Sequence, residues 1–381
     1  MVTIDKIFHA SVVLKDIIRP TPLAKAYGIA EDCALYLKPE CLQKTGSFKL
    51  RGSGYKIAML SDEEKAKGVI ACSAGNHAQG VALAASKCGI SSLICLPDTA
   101  PISKVEATKG YGAQVCLVPG VYDDAYNKAL ELKDEHGYTF VHPFDDEYVI
   151  AGQGTIGLEI MNEMSDVDAV LVPIGGGGLI SGVACAIKSI SPHVKVYGVQ
   201  AAGAPSMYNA IHHGKMEALT SVSTIADGIA VKKPGELTYE MVKNYVDDIA
   251  LVTEDEIAAA ILALIEKQKM IAEGAGAVSV AAAMFHKFPL EGKKVVSLIS
   301  GGNIDVTSLS RVIDRGLMKS GRTTSLLIEL ADKPGQLMEV SRIIAQCGGN
   351  VISVHHERNG ETESINGCYL RLSLETRNYD H

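Results

Sequence analysis

No run of basic residues occurs in this sequence, and its formal net charge is −8. Without a cationic stripe to grip a phosphate backbone, nucleic acid is excluded as a partner. No apolar stretch is long enough to span a bilayer as a helix, so no membrane partner is expected. The opening segment "MVTIDKIFHASVVLKDIIRP" carries acids and lacks the apolar core of a signal peptide. The nine cysteines stand singly, with no C-x-x-C pair and no histidine cluster beside them. Cys72, Cys95, Cys116 and Cys185 lie in or next to apolar runs and read as buried thiols of a reducing compartment. The expectation is a soluble, cytoplasmic protein.

What the sequence does contain is enough chain for two or three domains: 381 residues, 47% hydrophobic and 21% charged. Short apolar runs recur as "GVIACS", "SSLICLP", "AQVCLVP", "DAVLVPI", "VKVYGV" and "KVVSLIS", and helical spacing follows many of them. Near-continuous apolar strands alternating with helices predict an α/β architecture, a parallel sheet covered on both faces, between about Val69 and Ser300. After Gly302 the pattern changes. "SRVIDRGLMKSGR" reads as a polar connector. Beyond it, Ser325–Leu330 alternates like a strand, Asp332 to Gly335 is turn chemistry, and Gln336 to Gln346 is helical with Gly348-Gly349 closing it. Asn350–His356 and Cys368–Glu375 are two further strands, giving β-α-β-β in a separate small module.

Four stretches carry chemistry. In "TGSFKLRG", Ser47 is placed to cap a helix from about Phe48 to Leu60, with Lys49 in its first turn. The positive end of the helix dipole disfavours the ammonium form, and a neutral amine is what an aldehyde captures. In "SAGNHAQG", a strand ends near Ser73 and Ala74-Gly75-Asn76 turns into a helix whose amides make an anion pocket. His77 is open to two readings, a general base or a packed histidine. In "AVLVPIGGGGLISG", Gly175 to Gly178 let successive amides approach a phosphate, or else make a tight strand-to-helix turn. No register of these four glycines gives the G-x-G-x-x-G of a dinucleotide site, and Gln200 stands where a ribose-binding acid would be expected. A β-branched residue at Gly176 or Gly177 is therefore expected to weaken cofactor binding far more than apoprotein stability. In "VVSLISGGNID", Ser300 ends a strand and could meet a ring nitrogen.

Together these stretches resemble the fold-type II pyridoxal-phosphate enzymes (tryptophan synthase β-like), specifically the threonine/serine dehydratase branch. "TGSFKLRG", "SAGNHAQG", "GGGGL" and "SGGNID" occur in that family's order and approximate spacing, as do "RPTPL" and "TIADG". The resemblance implies pyridoxal 5′-phosphate as cofactor, bonded through its aldehyde to Lys49 beside Phe48. It implies that Gly175, Gly176, Gly177, Gly178 and Leu179 hold the 5′-phosphate, that Asn76 contacts the ring hydroxyl and that Ser300 faces the pyridine nitrogen. The substrate carboxylate would settle on Ser73, Ala74, Gly75, Asn76 and His77. The freed Lys49 amine would remove the Cα proton, and the expected reaction is deamination of L-threonine to 2-oxobutyrate, and of L-serine to pyruvate.

Serine racemase is the neighbouring activity on this scaffold. In that relative the residue before the Gly-Asn of the turn is serine; here it is Ala74, which has no proton to give, so elimination is favoured. A non-catalytic amino-acid sensor is the alternative from another class. Asp227 in "TIADG" is a weak candidate for a cation site, against an ordinary capping aspartate. The implied architecture is a two-subdomain catalytic unit over 1–318, with a smaller mobile part at about 52–150, and an ACT-like regulatory module over 319–381. That module would want one more helix and strand after "LETRNYDH" and is expected to be shortened or incomplete. The family's regulation implies an allosteric homo-oligomer, dimer or tetramer, with an amino-acid or nucleotide effector and a place in catabolism or isoleucine biosynthesis.

Overall fold

In a computed structural model of the chain, describing residues 2–358 and 366–381, the apolar runs become two mainly parallel sheets and a third antiparallel one. The largest sheet has six strands, in the order Ala24–Lys25, Ala34–Pro39, Lys294–Ile299, Ala169–Pro173, Lys195–Ala201 and Asp248–Val252. Only its first pair is antiparallel. A four-stranded sheet, wholly parallel, runs Gln114–Val118, Ser92–Pro97, Val69–Cys72 and Thr139–Phe140. Strands such as Val69–Cys72 and Ala169–Pro173 are buried at every residue, which is why they read as continuous apolar runs without alternation.

Helix Glu147–Glu163 packs on both the lysine-bearing helix Lys49–Ala58 and helix Gly178–Ile190. It contains a G-x-G-x-x-G, Gly152 to Gly157, that the sequence reading passed over. The pattern lies within the helix and serves packing. A Cβ on Gly152 would come within 2.5 Å of the Arg51 carbonyl oxygen, and one on Gly154 within 2.9 Å of the Gly182 carbonyl oxygen. Asp146 starts this helix by accepting from the amides of Tyr148 and Val149 at 2.8 and 3.1 Å.

Beneath the lysine helix lies a buried ion network. Arg51, fully enclosed, donates to both oxygens of equally enclosed Glu40 at 2.8 Å and to Glu159 at 2.6 and 2.9 Å. Lys38 meets Glu159 at 2.7 Å and Glu163 at 3.2 Å. The network ties strand Ala34–Pro39, the lysine helix and helix Glu147–Glu163 together, two residues from Lys49. Charges taken so far from water persist only when paired this fully.

The chain divides into two units, Met1–Ile304 and Asp305–His381. The second opens with helix Val306–Lys319, where the sequence suggested a polar connector. Asp305 accepts from the Ser308 amide at 2.8 Å, and Val312 and Gly316, one turn apart, form its buried face. A narrow apolar face on an otherwise charged helix is easily mistaken for a linker. Strands Thr323–Ala331, Gly367–Glu375 and Asn350–Glu357 then form an antiparallel sheet with Gly367–Glu375 central. Helix Gln336–Cys347 buries Ile344 and Val340 against Leu370, Leu372 and Leu374. The β-α-β-β pattern is therefore present, and among the described residues the outer edge of Thr323–Ala331 is unpaired. Among the same residues no helix is long and apolar enough to cross a membrane.

Candidate active site

The candidate residues gather at the carboxyl ends of parallel strands, where α/β sheets open their crevices. Lys49 begins helix Lys49–Ala58, but Ser47 does not cap it. Phe48 is already helical, with φ −60° and ψ −20°, so the capping position passes to it and Ser47 falls one residue short. Ser47 instead bridges to Gly301 through its backbone, and its buried hydroxyl has no hydrogen-bond partner among the described residues. The Phe48 amide donates to the Ser300 carbonyl at 3.0 Å, stitching the lysine helix to the end of strand Lys294–Ile299.

The Lys49 amine donates to the Pro143 carbonyl at 2.8 Å and lies 5.2 Å from the centre of the Phe48 ring. Burial of the amine pushes its pKa down to about 8, against an opposing pull from Glu273. Desolvation, which the sequence did not reveal, is thus the larger cause. About one amine in ten is neutral at pH 7, against a few in ten thousand for an exposed lysine.

The turn Ser73–Asn76 is partly exposed and leads into helix Asn76–Lys87. A Cβ on Gly75 would meet nothing within 4 Å, so open space lies beside these amides. Ser73 Oγ accepts from the Gly75 amide at 3.1 Å, and Ala74 brings no polar side chain. His77 is buried, and its Nε2 lies 2.8 Å from the Val141 carbonyl, which only accepts. Nε2 therefore carries the proton. Burial, with Lys49 nearby, pushes the His77 pKa down to about 3. This is a packed, neutral histidine, unsuited to general-base work near neutral pH.

Gly175 to Gly178 end strand Ala169–Pro173 and start helix Gly178–Ile190. Gly177 has φ +97°, a conformation that glycine adopts at little cost. A Cβ on Gly176 would sit 2.4 Å from the Phe144 ring, and one on Gly178 would sit 2.7 Å from the Phe144 carbonyl. The Gly176 carbonyl accepts from Thr238 Oγ1 at 2.6 Å. Leu179 is buried in the first turn of that helix, whose leading amides have no intrahelical acceptor. The expectation that a β-branched residue at Gly176 or Gly177 would weaken cofactor binding far more than apoprotein stability is corrected: Phe144 already fills the space at Gly176, and a Cβ on Gly177, in its left-handed backbone, would come within 2.7 Å of Met207 Cε and 2.8 Å of Thr238 Cβ.

Ser300 is buried and donates to the Ala275 carbonyl at 3.3 Å. Asp227 lies in an exposed short turn, its carboxylate 2.9 Å from Lys104 Nζ and close enough to the buried Glu273 to raise its pKa. The cap position of that turn is Ala226, and Asp227 is its first residue. Gln200 is engaged internally: its Oε1 accepts from the Tyr208 amide at 2.7 Å, and its Nε2 donates to the Ile174 carbonyl at 3.3 Å. Two site residues escaped the sequence reading. Glu273 accepts from Asn76 Nδ2 at 2.7 Å, and Asn303 Nδ2 donates to Asn76 Oδ1 at 2.8 Å. Glu273 did leave a signal, as the one acid in the small-residue run "IAEGAGAVSVAAAM".

The set suits a phosphorylated aromatic aldehyde. It offers an amine close to neutrality, two helix starts for anionic groups, an amide side chain and a buried hydroxyl. Comparison with known proteins agrees. A family described as "Pyridoxal-phosphate dependent enzyme" matches residues 14–301. An L-threonine ammonia-lyase of Thermotoga maritima is 51% identical over 100% of this chain and 95% of its own length. One of Geobacter sulfurreducens is 45% identical over 97% and 92%. Among solved structures, the processed form of threonine deaminase isoform 2 from Solanum lycopersicum matches with TM-score 0.78 and 39% identity, over 82% of this chain and 89% of that one. Maize serine racemase matches with TM-score 0.78 and 36% identity, over 84% and 98%. With the family match spanning both parallel sheets and every residue of the site up to Gly301, the chain belongs to the pyridoxal-phosphate dependent enzymes, in their fold-type II architecture.

Proposed function

We propose that this protein is an L-threonine ammonia-lyase that releases 2-oxobutyrate and ammonia from L-threonine, and pyruvate from L-serine. The observation that supports this most directly is 51% identity along the full chain to a protein of that name, joined to a lysine amine held near neutrality in the crevice. Pyridoxal phosphate, when bound, supplies the electron sink that acidifies the amino acid's Cα–H bond. The rest is the work of this chain. Lys49 would hold the cofactor through its aldehyde, and its free Nζ would take the substrate's Cα proton. The amides that open helix Asn76–Lys87, with the Ser73 hydroxyl, receive the substrate carboxylate.

Gly175 to Gly178 and Leu179 would hold the phosphate on the opening amides of helix Gly178–Ile190. Phe144 and Thr238 fix the shape of that loop. Asn76 would face the ring hydroxyl. Ser300 would face the ring nitrogen with a hydroxyl, which would not hold a proton there as a carboxylate does, so departure of the β-hydroxyl would be favoured over long storage of charge. Ala74 offers no proton to the opposite face, which favours elimination over racemisation. Release of 2-oxobutyrate from L-threonine by the purified holoenzyme tests the reading. Abundant D-serine from L-serine with no oxo acid would move it to a racemase.

The proposal extends to the remaining organisation. The catalytic unit would be Met1–Ile304, short of the boundary at 318 that the sequence suggested, with residues 52–150 as its mobile part. The β-α-β-β sheet of the C-terminal unit would serve as an ACT-like module for an amino-acid or nucleotide effector, in a cytoplasmic homodimer or homotetramer. Threonine turnover measured with and without isoleucine, valine, AMP and ADP tests that regulation.

A further inference from the structure

A single direction of hydrogen bonding runs through the polar groups behind Asn76. The Thr45 carbonyl can only accept, and Asn303 Nδ2 donates to it at 2.7 Å. The second hydrogen of the same nitrogen goes to Asn76 Oδ1 at 2.8 Å. Asn76 must therefore turn its Nδ2 the other way, where one hydrogen goes to Glu273 Oε1 at 2.7 Å. One Nδ2 hydrogen is left over, on a side chain that is partly exposed in the crevice. The amide orientation is thus dictated from Thr45 onward.

Glu273 is itself unusual. It occupies the cap position of helix Gly274–Met284 yet makes no side-chain bond to that helix. Its amide donates to the Gly301 carbonyl at 3.1 Å, and its carboxyl is buried with no ion pair among the described residues. The fold leaves room for it: a Cβ on Gly301 would come within 2.4 Å of its Oε1 and 3.1 Å of Asn76 Nδ2. The charged and titratable groups around it are Asp227, which raises its pKa, and Lys104 and Lys49, which lower it, together with the Cys41 thiol. Burial is the largest influence and puts the carboxyl near 7.

We propose that Glu273 is a positioning residue of the reaction, holding the Asn76 amide so that its free Nδ2 hydrogen meets the cofactor's ring hydroxyl, and coupling the ionisation of that hydroxyl to its own. The inference rests on Asn76 as the ring-hydroxyl contact. A carboxylate and a phenolate on either side of one amide repel, so each ionises more easily when the other is neutral. Below about pH 7 Glu273 is protonated and the ring hydroxyl ionises freely. The hydroxyl's proton is not lost to solvent in this range but is shared with the Lys49 nitrogen bonded to the cofactor aldehyde, so above pH 7 the carboxylate favours its return to the ring oxygen and the ionised fraction falls.

The test is the absorbance of the bound cofactor, recorded on the holoenzyme from pH 5.5 to 8.5. In the wild type the ratio of the ionised-hydroxyl band to the neutral band should fall about tenfold with a midpoint near 7, as a coupling of about one pK unit requires. Glu273→Gln keeps the hydrogen bond and removes the titration, so its ratio should be flat. Glu273→Asp should restore a titration. A Gln variant that titrates like the wild type, or a flat wild type, overturns the proposal. If Glu273→Gln does not fold, Asn76→Ala serves: it removes the link and should also give a flat ratio, and a wild-type titration there is contrary. Failure of the underlying cofactor reading is distinct, since the wild type would then show no protein-bound cofactor band at all.

Discussion

Lys49→Met should make the apoprotein more stable while abolishing turnover. The folded pKa of about 8 lies below the ordinary lysine value of 10.5, a penalty of about 3 kcal/mol for keeping the amine charged in the folded state. Methionine removes that penalty but leaves the Pro143 carbonyl without its 2.8 Å donor, a loss of about 1 kcal/mol. The net gain is about 2 kcal/mol, or about 4 °C in melting temperature for a unit of this size. The gain has a defined pH window. Lys49 titrates at a lower pH folded than unfolded, so its penalty is complete below about pH 8. It fades as pH rises and is gone above about 10.5, where the amine is neutral in both states. Thermal melts of apoprotein at pH 7 and pH 10.5 measure both points. A melting temperature below wild type at pH 7, or a gain undiminished at pH 10.5, refutes the reasoning.

Gly176→Val should lower the melting temperature of the apoprotein as well as cofactor affinity, because its Cβ would meet the Phe144 ring at 2.4 Å; adding Phe144→Ala should recover part of the apoprotein loss. An unchanged apoprotein melt would contradict that packing. Arg51→Met should cost about 3–5 kcal/mol by leaving Glu40 buried without its cation, and Glu40→Gln in the same chain should recover part of it in urea titrations. Ala74→Ser should raise D-serine formation from L-serine from nothing to a small measurable rate by chiral chromatography, because a hydroxyl then borders the open space beside Gly75.

Much of the site could be read from the sequence because its parts are local. The Ser73–Asn76 turn and Gly175–Gly178 each follow a strand within a few residues, so a short motif records strand end, turn and helix start together, while Lys49, ten residues past strand Ala34–Pro39, is marked by its turn and helix start alone. The strands were legible for the same reason: burial on both faces writes an unbroken apolar run. What escaped notice depends on distant pairs. Glu273 meets Asn76 across 197 positions, and no spacing rule connects them. The clash of Phe144 with a larger residue at Gly176 is likewise a tertiary fact. Ser47 was misread by one residue, since capping depends on the backbone angles of Phe48, and composition does not reveal those. Helix Val306–Lys319 hid because its buried face is only Val312 and Gly316.

Borohydride reduction of the holoenzyme followed by peptide mass mapping tests the central claim most directly. Reduction should abolish the protein-bound cofactor band, abolish 2-oxobutyrate release from L-threonine, and leave the reduced cofactor on the peptide containing Lys49. Label on a different lysine, or full activity after reduction, would contradict the account.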